Sequence, residues 1–241
     1  GAGLLPSDTR LPAAERAALL ERARPTVTVD ADGARRIDGE PVELGIVLVV
    51  HSSGTGGPPA FAQFDRDAID AAQVRKLFAD VEQATGEPDV VIYNASARVR
   101  GPLAELDPAE VARTLAVSAF GGFLVAQQAA RRMLAKKRGA ILLTGASASV
   151  KGYAQSAPFA MGKFALRGLA QSMARELAPQ GIHVAHFVID GGIARPGRAA
   201  PSDQPDALLD PDAIAANYLH VLRQPRSAWT WEVELRPWTE T

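Results

Sequence analysis

Gly139-Ala-Ile-Leu-Leu-Thr-Gly-Ala-Ser147 opens a run that continues through Pro158 to Leu177 and closes on Ile182-His-Val-Ala-His-Phe-Val-Ile189. Ala140 to Leu143 reads as a strand buried on both faces, Pro158 to Leu177 as a helix, and Ile182 to Ile189 as a second strand. The same alternation extends to either side. Upstream, Ala71 to Thr85 is an amphipathic helix with Val74, Leu77, Phe78 and Val81 on one face, and Asp89-Val-Val-Ile-Tyr93 is a strand of β-branched residues. Asp107-Pro-Ala-Glu110 then starts a helix with a capping-box spacing, and its apolar positions run past Phe123 towards Met133. Downstream, Asp210 to Arg223 predicts a helix and Ala228 to Leu235 a last strand. Strand and helix alternating in this way specify βαβ units, whose right-handed crossovers build a parallel sheet covered on both faces. The expected fold class is therefore α/β, a doubly wound parallel sheet.

The 241 residues fit one domain, with residues 61–241 as its regular body and residues 1–60 as a divergent N-terminal segment. In that segment Pro12 to Arg24 is a helix candidate closed by Pro25. Thr26 to Val29 and Val42 to Leu44 flank the turn signals Asp32-Gly33 and Asp38-Gly39, and Ile46 to Val50 is a strand followed by a Gly/Pro-rich loop. Phe61 to Phe64 is a short strand ending at Asp65.

An apolar share of 47% and a charged share of 22% are those of a folded globular chain. A net charge of -1 supplies no general field for nucleic acid. The basic cluster Arg131, Arg132, Lys136, Lys137 and Arg138 closes a helix, where cations offset the negative end of the dipole. No cysteine is present, which removes thiol catalysis and thiolate metal sites and is compatible with the cytoplasm. No run approaches the ~18 apolar residues of a membrane span. His51, His183, His186 and His220 lie on separate elements at no metal-ligand spacing, so no metal is expected.

Ligands of an open parallel sheet sit beyond the carboxyl ends of its strands. Asp65, Asn94-Ala-Ser96, Thr144 to Ser149 and Asp190-Gly-Gly-Ile193 each follow a strand and would converge on one crevice. Small side chains there let a ligand approach the backbone, and Ser, Asn and Asp orient hydrogen bonds.

These segments resemble the short-chain dehydrogenase/reductase superfamily. Val91-Ile-Tyr-Asn-Ala-Ser96 is similar to the family's Asn-Asn-Ala-Gly strand end, and Val117-Ser-Ala-Phe-Gly-Gly-Phe123 to its central helix. Gly139 to Ser147 is similar to the strand bearing its serine, Phe159-Ala-Met-Gly-Lys163 to its Tyr-x-x-x-Lys helix, and Ile189-Asp-Gly-Gly-Ile193 to its Pro-Gly segment. The resemblance implies a Rossmann-like sheet, NAD or NADP as cofactor, and oxidation or reduction of an alcohol or carbonyl in a small-molecule substrate. It implies that Asp65 faces the adenine, that Asn94, Ala95 and Ser96 lie along the cofactor, and that Lys163 holds the nicotinamide ribose. Asp190, Gly191 and Ile193 would border the nicotinamide. It also implies a homodimer or homotetramer through Glu110 to Met133 and Pro158 to Leu177.

The departures from the family pattern matter as much. Position 159 is phenylalanine, which has no proton to exchange, and a carbonyl reduction that loses its general acid loses roughly 10²–10⁴-fold in rate. Ser118 stands where the family has a helix asparagine. The family serine falls on Ala146, with Ser147 one residue away as a candidate carbonyl donor. Tyr153, six residues before Phe159, is a candidate substitute phenol, and Asp190 stands at the family's proline. No Gly-rich turn opens the chain: Gly1-Ala-Gly3 follows no strand, and Gly54-Thr-Gly-Gly57 leads into Pro58 and Pro59 rather than into a helix. An NAD(P)-dependent oxidoreductase with an atypical proton donor is therefore expected. The alternative is a relative without redox chemistry, either a binding or scaffold protein or a lyase-type enzyme.

Overall fold

The computed structural model describes residues 27–30, 33–36, 46–50, 60–63, 70–194 and 200–240. The helix expected over Pro12 to Arg24, the strand over Val42 to Leu44, the glycines at 1–3 and 54–57, and Asp65 lie outside the described residues.

Two sheets are present. Strands β1 (Val27–Asp30) and β2 (Gly33–Arg36) make an antiparallel hairpin in which Asp30 pairs with Gly33, in line with the Asp32-Gly33 turn signal. The main sheet has the order β4-β3-β5-β6-β7-β8. Within it β5 (Val90–Tyr93), β6 (Gly139–Thr144), β7 (Ile182–Ile189) and β8 (Glu232–Leu235) are parallel, with Tyr93 opposite Leu143, Leu143 opposite His186, and Ile189 opposite Leu235. Their carboxyl ends therefore share one edge.

Of the two remaining strands, β3 (Ile46–Val50) and β4 (Ala60–Gln63), only β3 departs from the all-parallel expectation. Strand β3 runs antiparallel to both β4 and β5. Only nine residues separate Val50 from Ala60. A parallel crossover needs a dozen or more, whereas an antiparallel return needs few. The register sets Val50 opposite Val90, so β3 ends at the amino end of β5, away from the edge where Asn94 emerges.

Helices α1 (Ala71–Thr85), α2 (Pro108–Leu115), α3 (Gly121–Lys136), α4 (Ala157–Leu177) and α5 (Pro211–Leu222) complete the body. Asp70, Asp107 and Asp210 cap three of their N-termini by accepting backbone N–H groups. The sheet's period-two alternation divides the core. Val91, Tyr93, Ile141, Leu143 and Val184 face Phe78 of α1, Val125 and Met133 of α3, and Leu166 of α4. Val90, Leu142, Ala185, Phe187 and Ile189 face Ile214, Tyr218 and Val221 of α5. Burying such a side chain stabilises the fold by roughly 1.5–3 kcal/mol.

Between α2 and α3 the helix widens into a π turn, Ala116–Phe120. The joined helical run Pro108–Lys136 is long and apolar enough, with a mean hydropathy of 1.4 over 18 residues, to match a membrane span by length and composition. The expectation of no apolar run near this length missed it, because Leu115, Val117, Phe120, Phe123, Leu124 and Val125 carry the average across the polar residues between them. Its inward residues Val117, Leu124, Val125, Ala129 and Met133 belong to the core.

Three of the five basic residues in the cluster at its end, Arg132, Lys136 and Arg138, are paired. Arg132 meets Glu82, and Lys136 lies 3.0 Å from Glu87. Strand β8 is shorter than expected because Arg226–Ala228 turns as a 3₁₀ helix after Pro225. Trp229 stacks on His183, whereas Trp238 is 82% exposed.

Candidate active site

Three side chains, two from α4 and one from the loop after β5, meet beyond the carboxyl ends of β5 and β6. Phe159 and Lys163 lie one turn apart on α4, so the helix repeat puts them on one face. Lys163 is buried and donates from Nζ to the carbonyl of Thr144 at 2.7 Å, at the last residue of β6. Burial, reinforced by the positive charge of Arg98, lowers its pKa to about 8. The guanidinium of Arg98 lies 4.0 Å from the centroid of the Phe159 ring, and Lys163 Nζ lies 6.0 Å from the same centroid.

The loop that carries Arg98 is anchored by the π turn. Ser118 Oγ accepts from the Ala97 N–H at 3.1 Å and donates to the Ala97 carbonyl at 3.4 Å. Tyr93, at the tip of β5, donates its hydroxyl to the Val117 carbonyl. Thus the residue at the family's asparagine position is buried and occupied in holding the loop after β5. Asn94 and Ser96 are half-buried and Ala95 is buried at this tip.

Beyond β6, Ala146, Ser147 and Ser149 have different surroundings. Ser149 is fully buried, and its Oγ accepts from the Ala146 N–H at 3.1 Å and lies 3.4 Å from His186 Nε2. His186 Nδ1 is 3.0 Å from Glu232, which Arg167 grips through two 2.7 Å contacts. Burial lowers the pKa of His186 to about 4, so the ring is neutral. With a carboxylate at Nδ1, that nitrogen carries the proton and Nε2 accepts from Ser149. The Arg167 guanidinium in turn holds the Glu232 carboxyl below its usual range. A Cβ on Gly145 would come within 2.4 Å of His186, which is why this strand end tolerates only glycine beside the ring.

The tip of β7 is a carboxylate site. Asp190 is 1% exposed, its Oδ2 lies 2.9 Å from Lys151 Nζ, and its Oδ1 has no hydrogen-bond partner among the described residues. The nearby Ser147 hydroxyl, followed by Lys151, holds the Asp190 carboxyl below its ordinary range against the cost of burial. Gly191 has φ +150, and a Cβ there would meet Pro237 at 2.7 Å. Ile193 forms a bridge with Leu209 and packs with the α5-side core.

The structure therefore brings Ser118 against Gly162, next to Lys163 on α4, and Ser147 beside Asp190. Tyr153 is 51% exposed in the loop before α4. Two groups escaped the sequence reading. Arg98 carried no motif, although a pair of arginines two residues apart just after a strand tip was a usable signal. The Ser149–His186–Glu232 chain spans three elements, and the alternation of β7, which puts His183 and His186 on opposite faces, was its only trace.

The family model for short chain dehydrogenase matches residues 49–200, more than half of the chain and beginning upstream of Phe61. The 3-oxoacyl-acyl-carrier-protein reductase MabA of Mycobacterium avium is 31% identical over 147 residues, 61% of this chain and 57% of that protein. A crystal structure of a short-chain dehydrogenase from Rhodopseudomonas palustris aligns with a TM-score of 0.62 and 35% identity over 74% of each chain. A metagenomic short-chain oxidoreductase in complex with NADP aligns with a TM-score of 0.59 and 26% identity over 70% of each chain. The chain spans less than two thirds of the length of the curated relatives it matches. Because the matched stretch carries the strand tips after β5 and β6 and the Phe159–Lys163 pair, the chain belongs to the short-chain dehydrogenase family.

Proposed function

We propose that this chain is an NAD(P)-dependent oxidoreductase for an alcohol or carbonyl substrate, in which Lys163 takes the proton-handling role that Phe159 cannot fill. The observation that carries this reading is the state of Lys163: buried, held by one carbonyl at 2.7 Å, and with a pKa of about 8. An acid is most useful near the operating pH, and an ordinary lysine at 10.5 would not release its proton there. An ammonium has three N–H donors, and only the Thr144 carbonyl accepts from this one among the described residues, so two donors fit the hydroxyls of a ribose. Asn94, Ala95 and Ser96 would border the cofactor on one side, and Asp190, Gly191 and Ile193 on the other. When bound, the dihydronicotinamide supplies a hydride. Lys163 gives up its proton to the oxygen that becomes a hydroxyl and regains one from solvent, while Ser147 orients that oxygen.

Isothermal titration with NADH and NADPH tests this reading. Saturable binding of either, lost in Lys163→Met, is expected; binding of neither would end it. In that event the second reading holds, a family member without redox chemistry. Phe159 and the antiparallel β3, whose carboxyl end lies away from the crevice, favour that alternative. Self-association through α3 and α4 is part of the proposal, since Phe120, Phe123, Met161 and Phe164 are 41–52% exposed on these helices.

A further inference from the structure

The loop after β5 is fixed at two points. Ser118 holds both backbone groups of Ala97, and the Gly101 N–H donates at 3.2 Å to the carbonyl of Gln155, a residue kept in the left-handed region at φ 58. Between these anchors stand Arg98, Val99 and Arg100. Arg98 lays its guanidinium on the Phe159 ring at 4.0 Å, and that ring is only 7% exposed. A guanidinium with one face on an aromatic ring keeps its N–H edge free, and that edge matches the two oxygens of a carboxylate.

Among the described residues, the charges that act on this edge are cations. Burial loosens the protons of Arg98 and Lys163, and the charge of Arg100 on Arg98 and of Arg98 on Lys163 adds to it. Neither Arg98 nor Arg100 has a carboxylate partner among the described residues. Asp190, across the crevice, is taken by Lys151 at 2.9 Å. Arg98, Arg100 and Lys163, with no carboxylate paired to them among the described residues, form an anion site. It lies over residue 159, where the family presents its tyrosine to the reacting group.

We propose that Arg98, supported by Phe159, is the specificity residue of this crevice and that its ligand is a small carboxylate, such as a hydroxy or oxo acid. The substitution that removes the phenol thereby provides the platform that aims the guanidinium. The assignment of this carboxylate as the substrate rests on the oxidoreductase reading above; the anion site itself does not.

Titration calorimetry with succinate, its neutral analogue succinamide and inorganic phosphate, with and without NADPH, tests the proposal on wild type, Arg98→Met and Arg98→Lys. Wild type is expected to bind succinate, and to bind succinamide and phosphate at least ~10-fold more weakly, a factor worth about 1.4 kcal/mol. Arg98→Met should lose succinate binding, and Arg98→Lys should keep only a fraction, because a point charge lacks the fork. Arg98 is exposed, so both variants are expected to fold, which circular dichroism would verify. Equal succinate binding by wild type and Arg98→Met, or succinamide binding as tight as succinate, would overturn the proposal. Phosphate bound more tightly than succinate would overturn the carboxylate assignment. Arg98-dependent succinate binding in a chain that binds neither NADH nor NADPH would leave the anion site standing and remove the redox reading. NADPH binding without succinate binding would do the reverse.

Discussion

Lys163 and His186 are both buried cations by type, yet the two carry opposite functional weight. Lys163 sits at a strand tip with spare donors; His186 lies deeper, with both nitrogens occupied. With Lys163 at about 8, its acid form is complete below that pH and disappears above it. A carbonyl reduction should therefore hold its rate below about pH 8 and fall above it, and a pH profile of kcat/KM displaying no such limb would remove Lys163 as the acid. For His186 the folded pKa of about 4 lies below the ordinary 6.5. The unfolded chain then binds more protons between those values, so stability is full above pH 6.5 and lost as the pH falls towards 4. The loss is up to roughly 3 kcal/mol, from about 1.4 kcal/mol per pK unit. Urea unfolding at pH 7 and pH 4.5 measures it, and His186→Gln should flatten the difference. Lys163 was visible through the resemblance of Phe159 to Lys163 to the family's Tyr-x-x-x-Lys helix. Ser149, His186, Glu232 and Arg98 stayed obscure, because their partnerships depend on strand register and loop path rather than on neighbours in the chain.

Helix periods and strand lengths were legible nearly throughout, since the core imposes them on side-chain type. Helix α1 spans Ala71–Thr85 as its pattern predicts, and β7 spans Ile182–Ile189. The π turn at Ala116–Phe120 was not legible, because widening one turn leaves apolar residues still facing inward. Nor was the direction of β3, because alternation along a strand is the same in either sense. The π turn has a measurable consequence where it meets α4. A Cβ at Gly162 would lie 2.6 Å from the Cβ of Ser118, so helix and turn touch only because position 162 has no side chain. Gly162→Ala must force them apart, and overpacking of this kind costs about 1–3 kcal/mol despite alanine's better helix propensity. A fall in Tm is expected, together with weaker ligand binding as Ser118 loses its hold on Ala97. An unchanged or raised Tm would show that the contact yields freely.

Across the chain as described, the parallel strands β5 to β8 gather their tips on one edge, and this was foreseeable from alternation alone. What lies on the opposite side of α3 and α4 was suggested by their surplus of apolar and small residues together with the resemblance, and the surface there argues for a partner. Phe120 and Phe123 stack at 6.2 Å and are 52% and 41% exposed, while Met161 and Phe164 on α4 are 51% and 45% exposed. Both pairs are spaced i, i+3, so each forms a short apolar ridge on its helix. Large apolar side chains grouped in this way mark an interface more often than scattered single ones do. A twofold axis passing between the helices would set each ridge against its own copy, the isologous arrangement that homodimers favour. Light scattering at micromolar concentration should give twice or four times the mass of one chain. Phe164→Glu should shift that mass towards the monomer, because two carboxylates would face each other across the axis without counter-charges. The anion site of Arg98 lies within one chain, so the monomeric variant is expected to keep succinate binding while losing thermal stability. A wild-type chain that scatters as a monomer would remove the interface, and the exposed phenylalanines would need another occupant.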